Sequence, residues 1–388
     1  MKVTELNIYL NRFLGDFIPI VPFLAVLMSK NGLSLSQISL AFFTLAATVF
    51  ILELPTGMIA DKVSVKLILI LSRFFKLLSF IVIFAIPNLT GATLGMALWG
   101  IASAFDSGAF QSYLFNYIKK TRDIKHFEII YARSITASLL GLLAAMAVST
   151  QIEYLGYEIL QVIGIVTLSF SFISTLFLST VSEASHTIEK TSVNFIHTAR
   201  QAFRTIHHTP LLLSLLAIGI LAGGIKGSLD DYTSLLLVNK ELSLAAVGYI
   251  LLTFEIVRSS GAFFSQWIKV EHIAQAVLLG LFGAGFVLAG SFGPFIAIAA
   301  LFSIIILDAM LWVHNDTAIQ RLAYDGNRAT LASLKNFGTE ITAALVLLFI
   351  FLTGEHLSLN SIYIILGTIL LVGSSLIALN FIKQNRLR

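Results

Sequence analysis

Long apolar runs separated by short polar turns dominate the hydrophobic pattern of this chain. Twelve of the runs reach roughly the 20 residues that an α-helix needs to cross the hydrocarbon core of a bilayer. These predicted spans, numbered 1 to 12, cover residues 7–28, 35–57, 67–87, 92–118, 126–150, 158–180, 209–236, 243–266, 271–291, 294–322, 329–353 and 360–382. The pattern therefore predicts an all-α membrane protein with twelve transmembrane helices.

One long polar stretch, residues 181–208, separates the first six spans from the last six. Apolar residues recur within it at helical spacing, which is typical of an amphipathic helix on a membrane surface. Its histidine pair, His207 and His208, fits a solvated helix face better than a metal site. The predicted domains are a six-helix bundle over residues 1–180, a cytoplasmic linker over 181–208 and a second six-helix bundle over 209–388.

Composition supports a membrane protein and excludes several other classes. Of the 388 residues, 57% are hydrophobic and 12% are charged, whereas a soluble domain carries roughly 25% charged residues. The chain has no cysteine, which excludes disulfides and thiolate metal sites. The basic residues lie in loops, so the sequence pI of 9.2 does not indicate nucleic-acid binding.

The distribution of basic residues predicts the orientation. With both termini in the cytoplasm, sixteen of the 25 lysines and arginines fall in cytoplasmic segments and two, Lys30 and Lys240, in outer loops. An excess of Lys and Arg marks the cytoplasmic side. We therefore expect a multi-pass protein of a bacterial cytoplasmic (inner) membrane.

A charged turn joins spans 2 and 3. Gly57 allows close approach of a neighbouring helix, Asp61 can pair with a cation or cap a helix N-terminus, and Lys62 and Lys66 hold the turn in the cytoplasm. The turn resembles the Gly-x-x-x-Asp-Arg/Lys-x-Gly-Arg/Lys-Arg/Lys loop of the major facilitator superfamily, with Ser64 and Val65 departing from the pattern.

Two further motifs extend the resemblance. The Glu53-Leu-Pro-Thr run before the turn, and the Arg328-Ala-Thr-Leu-Ala-Ser-Leu run between spans 10 and 11, resemble the drug-efflux-like branch. Gly261 to Lys269, at the end of span 8, is a counterpart of the charged turn without the aspartate. The resemblance implies the major facilitator fold, two pseudo-symmetric six-helix bundles. Span 5 lacks the Gly-Pro run typical of many drug/proton antiporters, so the direction of transport stays open.

Ionisable residues within the spans are functional candidates, because a charge inside a membrane is costly unless it is paired or hydrated. The resemblance implies that spans 1, 4, 7 and 10 line a central cavity, and each carries an acid. The predicted solute-binding residues are Arg12, Asp16, Phe23, Asp106, Tyr113, Lys226, Asp230, Asp308, Trp312 and Asn315. Charges would orient a solute and aromatic rings would pack against it. The alternative is structural, since Arg12–Asp16 and Lys226–Asp230 are i,i+4 neighbours that could neutralise each other.

Two other roles follow. Asp106, Asp230 and Asp308 are the predicted proton carriers, with Asp230 or Asp106 first and Asp308 next. Asp106 should be the more easily protonated of the first two, because no basic residue lies one turn away on its own helix. Residues near the cytoplasmic ends of the helices are predicted to gate the cavity, with Lys76 grouped beside them. The predicted gating residues are Glu53, Gly57, Asp61, Lys62, Lys66, Arg73 and Arg328.

The sequence contains no catalytic constellation, phosphate-binding loop or nucleotide motif, so we expect neither an enzyme nor a bound cofactor or metal. It predicts a secondary transporter that works by alternating access, acts as a monomer among membrane lipids, and couples efflux of a small amphipathic molecule to protons. A close alternative is transport, in either direction, of a charged metabolite or a siderophore-like chelate. A lipid flippase or a non-transporting receptor is the alternative from another class.

Overall fold

A computed structural model describes residues 3–60, 63–121, 124–180, 209–268, 270–323 and 328–386. Every regular element in these ranges is helical, which confirms the predicted all-α class. The predicted Asp61–Lys62 turn, the amphipathic helix within 181–208, and Lys269 lie outside the described residues.

The chain divides into two compact units. The first comprises residues 1–186 and 243–252, and the second comprises residues 187–242 and 253–388. The first eight helices, all in the first unit, are α1 (Val3–Asp16), α2 (Leu24–Lys30), α3 (Leu35–Ala60), α4 (Val65–Ala85), α5 (Leu89–Asp106), α6 (Ala109–Thr121), α7 (Phe127–Ser149) and α8 (Ile152–Leu176). The remaining helices are α9 (Pro210–Asp230), α10 (Thr233–Asn239), α11 (Leu244–Phe264), α12 (His272–Ser291), α13 (Pro294–Leu322), α14 (Arg328–Thr353) and α15 (Leu359–Arg386).

Ten segments of the described chain are long and apolar enough to cross a membrane. They correspond to ten of the twelve predicted spans. The other two are span 4, which forms the consecutive helices α5 and α6, and span 8, which forms α11. All twelve predicted spans are therefore helical.

Three spans are interrupted, and the prediction of one continuous helix is wrong for each of them. Span 1 breaks between α1 and α2, where Pro19 and Pro22 lack the N–H that a helix needs. Span 4 breaks after Asp106, where Gly108 takes a left-handed conformation with φ +71° that glycine adopts at no steric cost. Span 7 breaks after Asp230, where the Tyr232 N–H bonds to Leu229 three residues back instead of four.

The three interruptions share one feature. The helix before each break ends on an aspartate, namely Asp16 in α1, Asp106 in α5 and Asp230 in α9. The sequence placed acids on these spans, and the structure places each of them at the C-terminal end of a helix, of 14 residues in α1, 18 in α5 and 21 in α9.

A polar seam holds α1 against α8 inside the first unit. The buried Asn11 amide donates to the Ser171 carbonyl at 2.8 Å and to the Thr175 hydroxyl at 2.6 Å. One helical turn earlier, Asn7 donates to the Ser174 carbonyl at 2.9 Å. These bonds fix the side of α1 that faces α8, and with it the direction in which Arg12 and Asp16 extend.

In the second unit α9 packs tightly on α14. A Cβ added at Gly224 would lie 2.5 Å from the Thr342 Cβ, and one added at Gly219 would lie 2.5 Å from the Lys335 Cε. Both glycines remain helical, and the break in this span comes later, after Asp230. Gly219 and Gly224 thus serve close helix packing, which small residues permit.

Candidate functional site

Charged side chains gather at the interrupted helices, in one cluster per unit. The C-terminal end of a helix carries about half an elementary negative charge, and an aspartate there adds to it. Inside a membrane span such a group needs cations close by. In both clusters, neighbouring helices contribute lysine or arginine side chains that pair with the aspartates.

The first-unit cluster consists of Arg12, Asp16, Arg73, Lys76 and Asp106. Asp106 lies between two guanidinium groups: Arg12 Nη1 is 3.5 Å from its Oδ2, and Arg73 Nη2 is 3.4 Å from its Oδ1. The two arginines come from α1 and α4. Asp106, which has no basic neighbour on its own helix, therefore receives two from other helices.

Asp16 is held by a different set of partners. Lys76 Nζ lies 3.5 Å from Asp16 Oδ1 and donates to the Gly15 carbonyl at 2.8 Å. The Ser138 hydroxyl on α7 donates to Asp16 Oδ2, and Arg12 Nη2 donates to the same hydroxyl at 3.4 Å. Arg12 and Asp16 thus find their ion-pair partners on other helices, and Ser138 bridges the two residues.

A cavity of about 250 Å³ opens beside this cluster, between α4 and α5. Its wall combines charged, hydroxyl and aromatic side chains: Ser72, Arg73, Lys76, Trp99, Ala102, Ser103, Asp106 and Ser107. Lys76 Nζ lies 5.9 Å from the centre of the Trp99 ring, and Arg12 Cζ lies 4.6 Å from that of Phe110. The cluster therefore borders a space in which a small group can meet charges and a flat ring together.

The second-unit cluster consists of Lys226, Asp230, Glu255, Arg258 and Asp308. Lys226 Nζ lies 2.6 Å from Asp230 Oδ2 and 3.5 Å from Asp308 Oδ2, so one ammonium serves two acids. Arg258 pairs with Glu255 at 2.9 Å and with Asp230 at 3.5 Å. The predicted Lys226–Asp230 pair is present, and it is embedded in a network that also reaches α11 and α13.

The two clusters differ in formal charge. The first contains three cations and two carboxylates, and the second contains two cations and three carboxylates. Each is one charge away from neutrality, in opposite directions. The formal charge that these residues leave is thus positive in the first cluster and negative in the second.

The uncharged residues predicted to bind solute lie elsewhere. Phe23 is fully buried, and Tyr113 is 1% exposed with its hydroxyl donating to the Ser179 carbonyl at 3.1 Å. Asn315, also 1% exposed, donates to the Leu215 carbonyl at 2.8 Å, whereas Trp312 is 60% exposed. The burial of Phe23, Tyr113 and Asn315 favours a role in helix packing over solute binding for these three residues.

Among the predicted gating residues, Arg73 belongs to the first-unit cluster. Lys76, which was grouped with the gating residues, belongs to the same cluster. Glu53 is exposed and Lys66 is partly buried. Asp61 and Lys62 lie outside the described residues, and the surroundings of Gly57 and the Arg328 side chain are not among the described features.

Sequence reasoning missed Ser138 and the true partners of Arg73 and Lys76. A serine in an apolar span is a weak signal. Two cations three residues apart on one helical face give a stronger one, because they require acids on adjacent helices. It also missed the ion pair between Lys335 on α14 and Asp316 on α13, which lies near Gly219.

Comparison with known proteins reveals relatives along most of the chain. The sequence profile of the Major Facilitator Superfamily matches residues 7–347. The uncharacterized MFS-type transporter YxaM of Bacillus subtilis (strain 168) is 23% identical over 238 residues, which cover 61% of this chain and 58% of YxaM. The aligned region thus spans little more than half of that relative.

Solved structures of similar fold cover nearly the whole chain. The nucleoside transporter NupG superposes with a TM-score of 0.75 at 11% identity, covering 98% of this chain and 99% of NupG. A bacterial homolog of the human lysosomal transporter Spinster, in an inward-facing conformation, gives 0.72 at 12% identity, with coverages of 98% and 97%. The peptide transporter POT in complex with sulfate gives 0.68 at 14% identity, with coverages of 99% and 95%. Twelve helical spans, this shared fold and the profile match together show that the chain belongs to the major facilitator superfamily.

Proposed function

We propose that this protein is a proton-coupled secondary transporter that moves a small charged or amphipathic solute across the cytoplasmic membrane by alternating access. The observation that carries the proposal is the interruption of three spans directly after Asp16, Asp106 and Asp230. A helix that ends within a span leaves backbone carbonyls and ionisable side chains available to bind solutes and coupling ions. This applies most directly to Asp16 and Asp106, because α9 is long enough to cross a bilayer before it ends at Asp230.

Proton coupling is assigned to the second-unit cluster. Its three carboxylates share two cations, so one bound proton makes the cluster neutral. We assign the proton to Asp230 or Asp308, which share the Lys226 ammonium. Asp106 fits this role less well because Arg12 and Arg73 both pair with it.

Efflux is the proposed direction, and it rests on the resemblance of the Glu53 and Arg328 runs to the drug-efflux-like branch. The second candidate is transport of a charged metabolite or a siderophore-like chelate in either direction. The mixed charges of both clusters favour that candidate, since an exporter of apolar cations would need acids more than cations.

Transport by the purified full-length protein in proteoliposomes tests the proposal. A panel of solutes is offered with an inward or outward pH gradient, while a dye reports the internal pH. We expect solute accumulation against its gradient together with proton movement in the opposite direction. Solute movement that ignores the pH gradient would contradict coupling. A protein that moves only fluorescent lipids between leaflets, or that moves nothing, would contradict the proposed function.

A further inference from the structure

The cavity between α4 and α5 carries an excess of positive charge. In the first-unit cluster Lys76 is matched by Asp16, while Arg12 and Arg73 share the single carboxylate of Asp106. Arg73 is 5% exposed, so its charge is largely shielded from water. A buried charge without a full counter-ion is costly, and a partner that supplies the missing negative charge is correspondingly favoured.

The cavity wall offers the donors that an anion requires. Arg73 and Lys76 both line it, and so do the hydroxyl-bearing residues Ser72, Ser103 and Ser107. Ser72 is 1% exposed, and its hydroxyl has no hydrogen-bond partner among the described residues. Charged donors and hydroxyls arranged around one space match an oxyanion, which accepts several hydrogen bonds at once.

The same wall has an apolar side. The Trp99 ring faces the cavity and packs against Phe80, with ring centroids 5.2 Å apart. At about 250 Å³ the cavity is slightly smaller than the ~300–1,000 Å³ of typical small-molecule pockets. It therefore has room for one functional group and an adjoining ring or short chain of a larger molecule.

We propose that this cavity is a subsite that binds the anionic group, a carboxylate or a phosphonate, of the transported solute. Arg73 and Lys76 hold the oxyanion, and Trp99 packs against the adjoining apolar part. The inference rests on the proposed transport function, and it narrows the solute class to molecules that carry an acidic group beside an apolar one.

Binding to the purified full-length protein tests the subsite directly. Benzoate, phenylphosphonate, benzamide and benzylammonium present the same ring with a carboxylate, a phosphonate, no charge and a positive charge. Tryptophan fluorescence reports binding, and a Trp99→Phe variant identifies the signal that comes from this cavity. We expect the two anions to produce a saturable change that benzamide and benzylammonium do not produce.

Charge variants then locate the site. Lys76→Gln should weaken benzoate binding tenfold or more, and Lys76→Arg should retain it. A cooperative thermal unfolding transition of purified Lys76→Gln separates loss of the charge from misfolding. Asp106→Asn should tighten binding, because it removes a negative charge from the wall. Lys30→Gln is the matched control, since Lys30 also lies over an aromatic ring, at 4.3 Å from the centre of Tyr157, but away from the cavity.

Two lipid compositions distinguish the source of the anion. If phosphatidylglycerol in nanodiscs competes with benzoate where phosphatidylcholine does not, the site still binds an anionic group, but that of a lipid headgroup. Equal affinity for benzamide, or unchanged benzoate binding by Lys76→Gln, would overturn the inference.

Proton-driven transport of neutral or cationic solutes without anion binding would contradict the subsite alone, and anion binding without any transport would contradict only the proposed function.

Discussion

At the scale of single residues, the aspartates at the helix ends depend on cations from other helices. Asp16 pairs with Lys76, and Asp106 pairs with Arg12 and Arg73. Asp230 pairs with Arg258 on α11 in addition to Lys226 on its own helix. Removing one member of a fully buried pair typically costs about 3–5 kcal/mol, and the cost here is smaller because the side chains of Asp106, Asp16 and Asp230 are 28%, 34% and 41% exposed. Single neutralisations in these clusters are therefore expected to affect folding as well as transport, and paired changes are more informative.

A charge swap tests the partner of Asp16. We expect Asp16→Lys and Lys76→Asp each to reduce the folded fraction in detergent, and the double variant to recover most of it, because the ion pair is restored in reverse. Thermal unfolding of the purified protein measures the recovery.

The matched control is the exchange of Arg12 and Asp16 on one helix. This double variant should recover little of the folded fraction. The aspartate at position 12 would repel Asp106, and the arginine at position 16 would repel Lys76. Equal recovery in the two double variants would contradict the assigned pairing.

Neutralising the proton carrier separates coupling from solute binding. Asp230→Asn or Asp308→Asn should abolish transport driven by a pH gradient while exchange of solute across the membrane continues. The reason is that the second-unit cluster becomes neutral and no longer requires a proton. Counterflow and gradient-driven uptake in the same proteoliposomes measure the two activities.

Glu158→Gln provides the control for this test, because Glu158 is an exposed acid on α8, outside both clusters. It should leave gradient-driven transport unchanged. If the Asp230 and Asp308 variants both keep a normal response to the pH gradient, the proton does not bind in this cluster.

At the scale of helices, Gly224 on α9 determines how closely α14 approaches. Gly224 leaves no room for a side chain, whereas a Cβ at Gly227 would meet no atom within 4 Å. We expect Gly224→Ala to lower the stability of the protein by about 1–3 kcal/mol, as overpacking does. Gly227→Ala should be neutral or slightly stabilising, since alanine is a better helix former than glycine. Equal effects of the two changes on thermal stability would contradict this packing.

Hydropathy along the chain was enough to predict the helices, because each span must satisfy its backbone hydrogen bonds internally in lipid. The interruptions were harder to predict. Pro19, Pro22 and Gly108 were visible signals, but the break after Asp230 occurs without proline or glycine and depends on the tertiary environment.

The charged site was predicted in part for a related physical reason. Helical periodicity relates residues that share one helix, so it identified Arg12–Asp16 and Lys226–Asp230 as pairs. It carries no information about which helices are neighbours, and the contacts of Arg73 with Asp106 and of Lys76 with Asp16 cross between helices. The family resemblance predicted that spans 1, 4, 7 and 10 line the cavity. It did not include span 3, which forms α4 and carries Arg73 and Lys76.

At the scale of the whole molecule, twelve spans require both termini to lie on one side of the membrane. The distribution of Lys and Arg predicts that this side is the cytoplasm. We expect a green fluorescent protein fused after Arg388 to fluoresce and an alkaline phosphatase fused there to be inactive. A phosphatase fused within the loop around Lys240 should be active. The opposite pattern of activities would reverse the predicted orientation.

The interruption after Asp106 also has a consequence for biogenesis. The helix after the break, α6, is 13 residues long, which spans ~20 Å at 1.5 Å per residue and falls short of the ~30 Å core of a bilayer. Asp106 lies near the middle of the predicted span 92–118, and an aspartate at the centre of an inserting segment costs roughly 2.5–3.5 kcal/mol at the translocon. Its partners Arg12 and Arg73 lie on helices that the ribosome makes earlier. We therefore expect α5 and α6 to enter the lipid only after α1 and α4 are in place, with the order of synthesis supplying the counter-ions before the acid arrives.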